Sequence, residues 1–145
     1  CAEAFDEISE CQELHEADCS LTMDSIGDDA AWVDRVRIKE MLVHLIDNSL
    51  GVKRRPLTIR FTSEQVIVEG KTSLRLSVAD DGEGFADDAL CRAFEPFFTT
   101  KQHGTGLGLS ICRRIVQAHG GSIRVYNTLP YGAVVEAILP DSVLE

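Results

Sequence analysis

No stretch of this chain approaches the ~20 consecutive apolar residues of a membrane-spanning helix, so this piece is not expected to cross a bilayer. The opening, Cys1-Ala2-Glu3-Ala4-Phe5-Asp6, is acidic and lacks the apolar core of a secretory signal. It also lacks an initiator Met, so the sequence reads as part of something longer. Positive charge is scarce: 14 Lys and Arg stand against 24 Asp and Glu, a formal net charge of -10. A nucleic-acid surface needs a positive field to displace condensed counterions, and this balance argues against one. The basic cluster Lys53-Arg54-Arg55 is short, sits beside Pro56 and reads as a solvated loop. The five cysteines (Cys1, Cys11, Cys19, Cys91, Cys112) form no CxxC pair, and no His lies at zinc-ligand spacing from a Cys pair. Reduced thiols in a cytosolic protein are the economical reading, with Cys112 a small core residue in an apolar helical stretch.

What is present fits one domain of 145 residues with a short lead-in. Residues 3–16 carry a thin apolar stripe at helical spacing, which makes 1–17 the end of a helix arriving from upstream and 18–145 the domain itself. A strand is expected at 19–26. From Asp34, a suitable N-cap, the apolar positions Val36, Ile38, Met41, Leu42, Leu45 and Ile46 follow a helical period that Gly51 ends. Strands are expected from Leu57 to Thr62 and from Val66 to Ala79, the second turning back at Glu69-Gly70-Lys71. A short helical patch spans Asp87 to Ala93. A helix runs from the glycine-rich segment at 104–109 to His119, and strands follow at Ser122 to Tyr126 and Ala133 to Leu139. Helices interspersed with adjacent antiparallel strands predict an α/β two-layer sandwich. Its sheet would be mixed and mostly antiparallel, with about three helices on one face.

Three segments carry candidate chemistry. Gly104-Thr105-Gly106-Leu107-Gly108-Leu109 opens a helix, and its glycines free backbone N–H groups to approach a phosphate chain at a positive helix end. The segment follows a polar loop rather than a strand, which does not fit a dinucleotide fold, and it lacks the P-loop Lys; a ligand-free hinge is the alternative. Asp80-Asp81-Gly82-Glu83-Gly84 interrupts the apolar run of a strand. An acid there can accept a hydrogen bond from an exocyclic amine such as adenine N6; a plain acidic turn is the alternative. Asn48 and His44 lie one turn apart on the first long helix and point the same way. The Asn amide oxygen suits a Mg²⁺ already held by phosphates, although a lone helical Asn is more often a surface residue.

Taken in order, Asn48, Asp80-Asp81-Gly82-Glu83-Gly84, Phe94-Glu95-Pro96-Phe97-Phe98-Thr99-Thr100-Lys101 and Gly104-Thr105-Gly106-Leu107-Gly108-Leu109 resemble the N box, first glycine box, F box and second glycine box of sensor histidine kinases. The resemblance covers roughly residues 20–140 and is most like the nitrogen- and oxygen-sensing branch. It implies the Bergerat ATP-binding fold shared with gyrase, MutL and the heat-shock chaperone ATPases, with ATP and Mg²⁺ as cofactors. It further implies that Asp80 reads the adenine amine, Asn48 holds Mg²⁺, and Gly82 and Gly84 shape the base pocket. Residues 85–103 would form a lid anchored by Phe94, Phe97 and Phe98. Thr99, Lys101 and the backbone from Gly104 through Thr105, Gly106, Leu107 and Gly108 to Leu109 would reach the phosphates. Lys101 would offset charge on the transferring γ-phosphoryl.

Four positions depart from that pattern. His44 stands where the kinases usually have Asn and the ATP-hydrolysing relatives Glu; it is either a packing residue or a proton acceptor. Ser49 and Gly51 replace an Ala and a nearby charge, for which Lys53 is a substitute. Ala133 lacks a hydroxyl that often supports the base. His15 precedes a Glu as a phosphoacceptor does, but it lies too close to Asn48 to leave room for a helical hairpin, and His103 and His119 read as lid and helix-end residues. The resemblance therefore implies phosphorylation in trans of a dimerisation domain not in this chain, and a response-regulator receiver domain as partner. A monomeric fragment of a homodimeric parent is expected. Two alternatives stay open: a regulatory module that binds nucleotide or a protein without transfer, and a serine kinase of the anti-sigma type, against which the aromatic F box counts.

Overall fold

The computed structural model describes residues 19–26, 33–51, 56–101 and 104–141. Along them run β1 (Cys19–Ile26), α1 (Arg35–Leu50), β2 (Leu57–Val68), β3 (Lys71–Asp80), α2 (Asp87–Arg92), α3 (Gly108–Ala118), β4 (Ser122–Asn127) and β5 (Ala133–Pro140). The sheet order is β1-β2-β3-β5-β4. The β1–β2 pair is parallel and the other pairs are antiparallel. This is the expected mixed two-layer sandwich. The expected helix at 3–16, His15, the Lys53-Arg54-Arg55 cluster and His103 lie outside the described residues.

Local chemistry sets the boundaries. The Asp34 carboxylate accepts from the Arg37 N–H at 3.1 Å, satisfying a donor that the first turn of α1 leaves open. The β2–β3 hairpin turns on Glu69 and Gly70, both at positive φ (50° and 78°), the combination that suits a two-residue hairpin turn to strand twist. Strand β2 differs from expectation: it runs unbroken to Val68 instead of pausing after Thr62. The polar residues there have partners, since Glu64 sits opposite Arg75 and bonds its guanidinium at 3.1 Å.

Alternate residues of the central strands face the helices. Ile59, Phe61, Leu76 and Val78 meet Met41, Leu42 and Leu45 of α1 and Cys112 and Val116 of α3 in one core. Cys112 is fully buried, and burial pushes its thiol up to about 12. The opposite sheet face carries cross-strand ion pairs, Arg60–Asp24 at 3.6 Å and Arg124–Glu136 at 2.8 Å. At the far end of α3 the His119 ring receives the Asp34 N–H on Nε2 at 3.0 Å. Its Nδ1 lies 2.8 Å from the Ile115 carbonyl, which assigns the proton to Nδ1. His119 thus clasps the end of α3 to the start of α1. No helix among the described residues is long and apolar enough to cross a membrane.

Candidate functional site

Asp80 closes β3 and points its carboxylate back under α1, where it is 9% exposed. Ser49 Oγ donates to one oxygen at 3.0 Å and the Gly82 N–H to the other at 3.0 Å. Burial pushes the acid above its ordinary value; the bonds from Gly82, Ser49 and the Ala133 backbone pull it back, and the Asp81 charge adds to the rise. Three donors leave part of the carboxylate's acceptor capacity unused, so the group can still take a donor from a ligand. The neighbouring acid has different work: Asp81 accepts the Thr58 N–H at 2.7 Å and continues the pairing with β2. Of the two carboxylates in the motif, Asp80 is the buried one.

The wall beside Asp80 is built by glycines and one amide. Gly84 sits at φ 77°, and a Cβ there would lie 2.9 Å from the Asn127 side-chain oxygen and 3.0 Å from the Gly132 carbonyl. Asn127 accepts the Phe85 N–H at 2.8 Å and donates to the Phe85 carbonyl at 2.7 Å, as a paired strand would. A loop that could wander is thereby pinned to β4.

Helix α1 brings His44, Asn48 and Ser49 to the same region. His44 and Asn48 are half-buried, and the His44 Nδ1 lies 3.8 Å from where a Cβ on Gly108 would sit, against the start of α3. The Asn48 amide makes no hydrogen bond to any described residue, leaving its oxygen free. Lys101 reaches the end of the same helix: its Nζ donates to the Asn48 carbonyl at 3.1 Å and the Asp47 carbonyl at 3.4 Å. Burial lowers the Lys101 ammonium below its ordinary value, against the pull of the Asp47 and Asp80 charges.

The segment between α2 and α3 folds back on itself. The Phe97 N–H donates to the Gly106 carbonyl at 2.9 Å, and a Cβ on Gly106, at φ 71°, would strike the Phe97 backbone. Thr99 Oγ1 accepts the Lys101 N–H at 3.0 Å and packs where Gly104 has no side chain. Thr105 Oγ1 lies 3.4 Å from the Leu107 N–H. Because Gly106 is left-handed, α3 begins at Gly108 rather than at the first glycine.

Of the expected site residues, Asp80 and Gly82 meet the end of α1 through Ser49, Lys101 reaches the Asn48 carbonyl, His44 lies against Gly108, and Thr99 lies against Lys101 and Gly104, while Gly84 packs on Asn127 and Gly132. Two others serve the interior by their side chains: Leu109 is buried and Phe94 packs on the core. The aromatic anchor is narrower than expected. Phe98 stacks under Arg92, 4.4 Å from the ring centroid, but the Phe97 ring is 76% exposed and holds the segment only through its backbone. Lys53, the expected substitute for the charge missing near Gly51, lies outside the described residues. Ser49 was legible only as a departure from a pattern, and Asn127 carried no signal at all.

With this geometry in hand, residues 33–143 match the family model described as histidine kinase-, DNA gyrase B-, and HSP90-like ATPase. The chain is 37% identical over 118 residues to sensor protein FixL of Bradyrhizobium diazoefficiens, covering 79% of this chain and 22% of that protein. It superposes on the nucleotide-free catalytic domain of histidine kinase ThkA with a TM-score of 0.83 and 31% identity, covering 97% of this chain and 91% of that one. It also matches ThkA as solved in complex with response regulator protein TrrA, at a TM-score of 0.78 and 29% identity, covering 97% of this chain and 39% of that one. The chain thus spans 22% of the length of its curated relative and nearly all of a solved catalytic domain.

Proposed function

This chain belongs to the histidine kinase-, DNA gyrase B- and HSP90-like ATPase family as a catalytic domain of the sensor histidine kinase type, and from that membership we propose that it binds Mg-ATP and transfers the γ-phosphoryl group to a histidine of a separate dimerisation domain. The observation that carries the reading is Asp80: a buried carboxylate with free acceptor capacity, opposite a helix that presents an unpaired amide and a seated ammonium. Asp80 accepts the adenine amine. Gly82 and Gly84 let the backbone approach the base, and Asn127 keeps that wall in place. Thr99 and the backbone at 104–108 take the phosphates, with Lys101 set against the terminal one.

The donor set fits Mg²⁺. Among the described residues no group of three or more acidic, His or Cys side chains could hold a metal by itself. Asn48 offers one hard oxygen, which suits an ion that draws its remaining ligands from phosphates and water. When bound, Mg²⁺ neutralises phosphate charge during transfer. The acceptor imidazole nitrogen forms the P–N bond as the bond from the γ-phosphorus to the bridging oxygen breaks, and ADP leaves. This domain contributes positioning and charge compensation rather than a covalent intermediate. His44 lines the same face as Asn48 and is a candidate to receive the proton that the imidazole gives up.

On this reading residues 18–145 are the catalytic unit, the parent protein is a homodimer, the domain works in the cytoplasm, and a response-regulator receiver takes the phosphoryl group onward. The ThkA–TrrA complex supports a partner of that kind. The test is to incubate the chain with γ-labelled ATP and the helical hairpin of the parent protein, supplied separately. An acid-labile, alkali-stable phosphohistidine on the hairpin is expected. Nucleotide binding without transfer would favour the regulatory module, and an acid-stable product would favour a serine kinase.

A further inference from the structure

Gly51 has no conformational reason to be glycine. It ends α1 at φ -73° and ψ -9°, right-handed helical backbone that any L residue adopts, and glycine there costs helix stability. What its missing side chain provides is space: the three atoms nearest to a Cβ built on Gly51 all belong to Lys101, the Cε and Nζ overlapping it. The last turn of α1 contains no basic residue of its own. Carbonyls at a helix end attract a cation, and Lys101 supplies one from 50 residues further along the chain, reaching the oxygens of Asn48 and Asp47.

We infer that Gly51 is a positioning residue for Lys101: its bare Cα is the seat that lets the ammonium lie against the end of α1 beside Asn48, placed to meet a terminal phosphate. An ammonium has three donors, and two are spent on the carbonyls of Asp47 and Asn48. The third stays available. Seating also removes rotamer freedom from a long side chain before any ligand arrives, so less ordering remains to be done when phosphate binds. The inference rests on the nucleotide reading only for what the third donor meets; the seat itself needs no ligand.

Gly51→Ala tests it gently, because the three atoms nearest to the new methyl group all belong to the flexible Lys101 side chain and the backbone already suits Ala. The set is wild type, Gly51→Ala, Lys101→Met and the double variant. Without nucleotide, limited trypsin cleavage after Lys101, read by the masses of fragments 1–101 and 102–145, is expected to run about fivefold faster in Gly51→Ala than in wild type, with other sites unchanged. With nucleotide, the ratio of affinities for a non-hydrolysable ATP analogue and for ADP should fall about tenfold in Gly51→Ala and in Lys101→Met. The double variant should lose no more than either single one, which a purely structural role of Gly51 would not produce. Equal cleavage in wild type and Gly51→Ala, or a uniform acceleration at every site, overturns the seat. An unchanged affinity ratio, or losses that add in the double variant, overturns the positioning role. Faster cleavage at Lys101 in a protein that binds neither nucleotide would leave the seat standing and sink the nucleotide reading instead.

Discussion

Replacing Asp80 by Asn separates what the folded chain prefers from what a nucleotide needs. The side chain keeps its shape: the Asn oxygen can still accept from the Gly82 N–H, and its NH₂ can donate to Ser49 Oγ in place of the bond that Asp80 now receives. What goes is the charge and one acceptor atom. Burial holds the Asp80 carboxyl above its ordinary 3.8, so the folded state binds that proton more tightly than the unfolded state does. The sign follows by linkage. The favourable contribution is complete below pH 3.8 and is lost as pH rises through the raised folded value. The amide does not titrate. Without ligand, the melting temperature of Asp80→Asn relative to wild type should therefore climb across that interval, and at neutral pH the variant should melt at or above wild type.

Ligand binding should move in the opposite direction. A hydrogen bond to a charged acceptor contributes about 1.5–3 kcal/mol, and the Asn NH₂ would face the adenine amine donor to donor, so a loss of about 100-fold in affinity is expected. At ~100 times its wild-type Kd, a non-hydrolysable ATP analogue with Mg²⁺ adds about 2.7 kcal/mol of stability. For a domain of this size that is a rise of about 8 °C. The same concentration only equals the Kd of the variant, where the gain is about 0.4 kcal/mol, or about 1 °C. Differential scanning fluorimetry with and without analogue at two pH values reads all of this. A variant that keeps the full ligand shift refutes the adenine role of Asp80, and a drop of several degrees without ligand refutes the desolvation argument.

Three further outcomes come from other contacts. Asn127→Ala removes both bonds to Phe85 and should lower the melting temperature by about 3–6 °C while weakening the analogue. Asn127→Asp should not rescue it, because a carboxylate would face the Phe85 carbonyl; full rescue would mean that the clamp is not two-sided. His119→Ala loses the Asp34 N–H and Ile115 carbonyl partners together and should cost about 1–2 kcal/mol in urea unfolding, with the ratio of ATP to ADP affinities unchanged. Cys112, buried and with its thiol pushed up to about 12, should resist iodoacetamide in the folded protein while exposed Cys91 reacts, as peptide mass spectrometry before and after denaturation will read.

Much of the architecture was legible because it is written in local periods. The stripe from Ile38 to Ile46, the cap at Asp34 and the turn at Glu69-Gly70 each occupy a few neighbouring residues, and each appears where the pattern placed it. The run from Ser63 to Gln65 was not legible as strand, because its polar residues are held by cross-strand partners such as Arg75. The same limit governs the site. Asp80 and Asn48 were singled out as residue types in suitable places, whereas the clamp joins Asn127 to Phe85 and the seat joins Gly51 to Lys101 across long separations that no periodicity encodes. A glycine after a helix reads as a C-cap; that this one makes room for a lysine is a property of packing alone.

The cleft holds two ionisable groups shifted in opposite senses by one cause. Burial raises Asp80 and lowers Lys101, so each is held where its charged form is disfavoured; hydrogen bonds from Gly82, Ser49 and Ala133 offset part of that for the acid, and the Asp47 and Asp80 charges part of it for the ammonium. Such a constellation is tolerated because the surrounding fold over-determines it: Ser49 and Gly82 fix the acid, and Asp47, Asn48 and the bare Gly51 fix the base. A ligand gains most when it meets both charges at once, a donor for Asp80 at one end and an anion for Lys101 at the other. Adenosine and inorganic triphosphate each answer only half of the site. If both halves contribute, ATP must bind more tightly than either fragment, and Asp80→Asn should weaken adenosine while leaving triphosphate nearly untouched. Equal weakening of both by that substitution would mean that Asp80 acts through the shared electrostatics of the cleft rather than by reading the base.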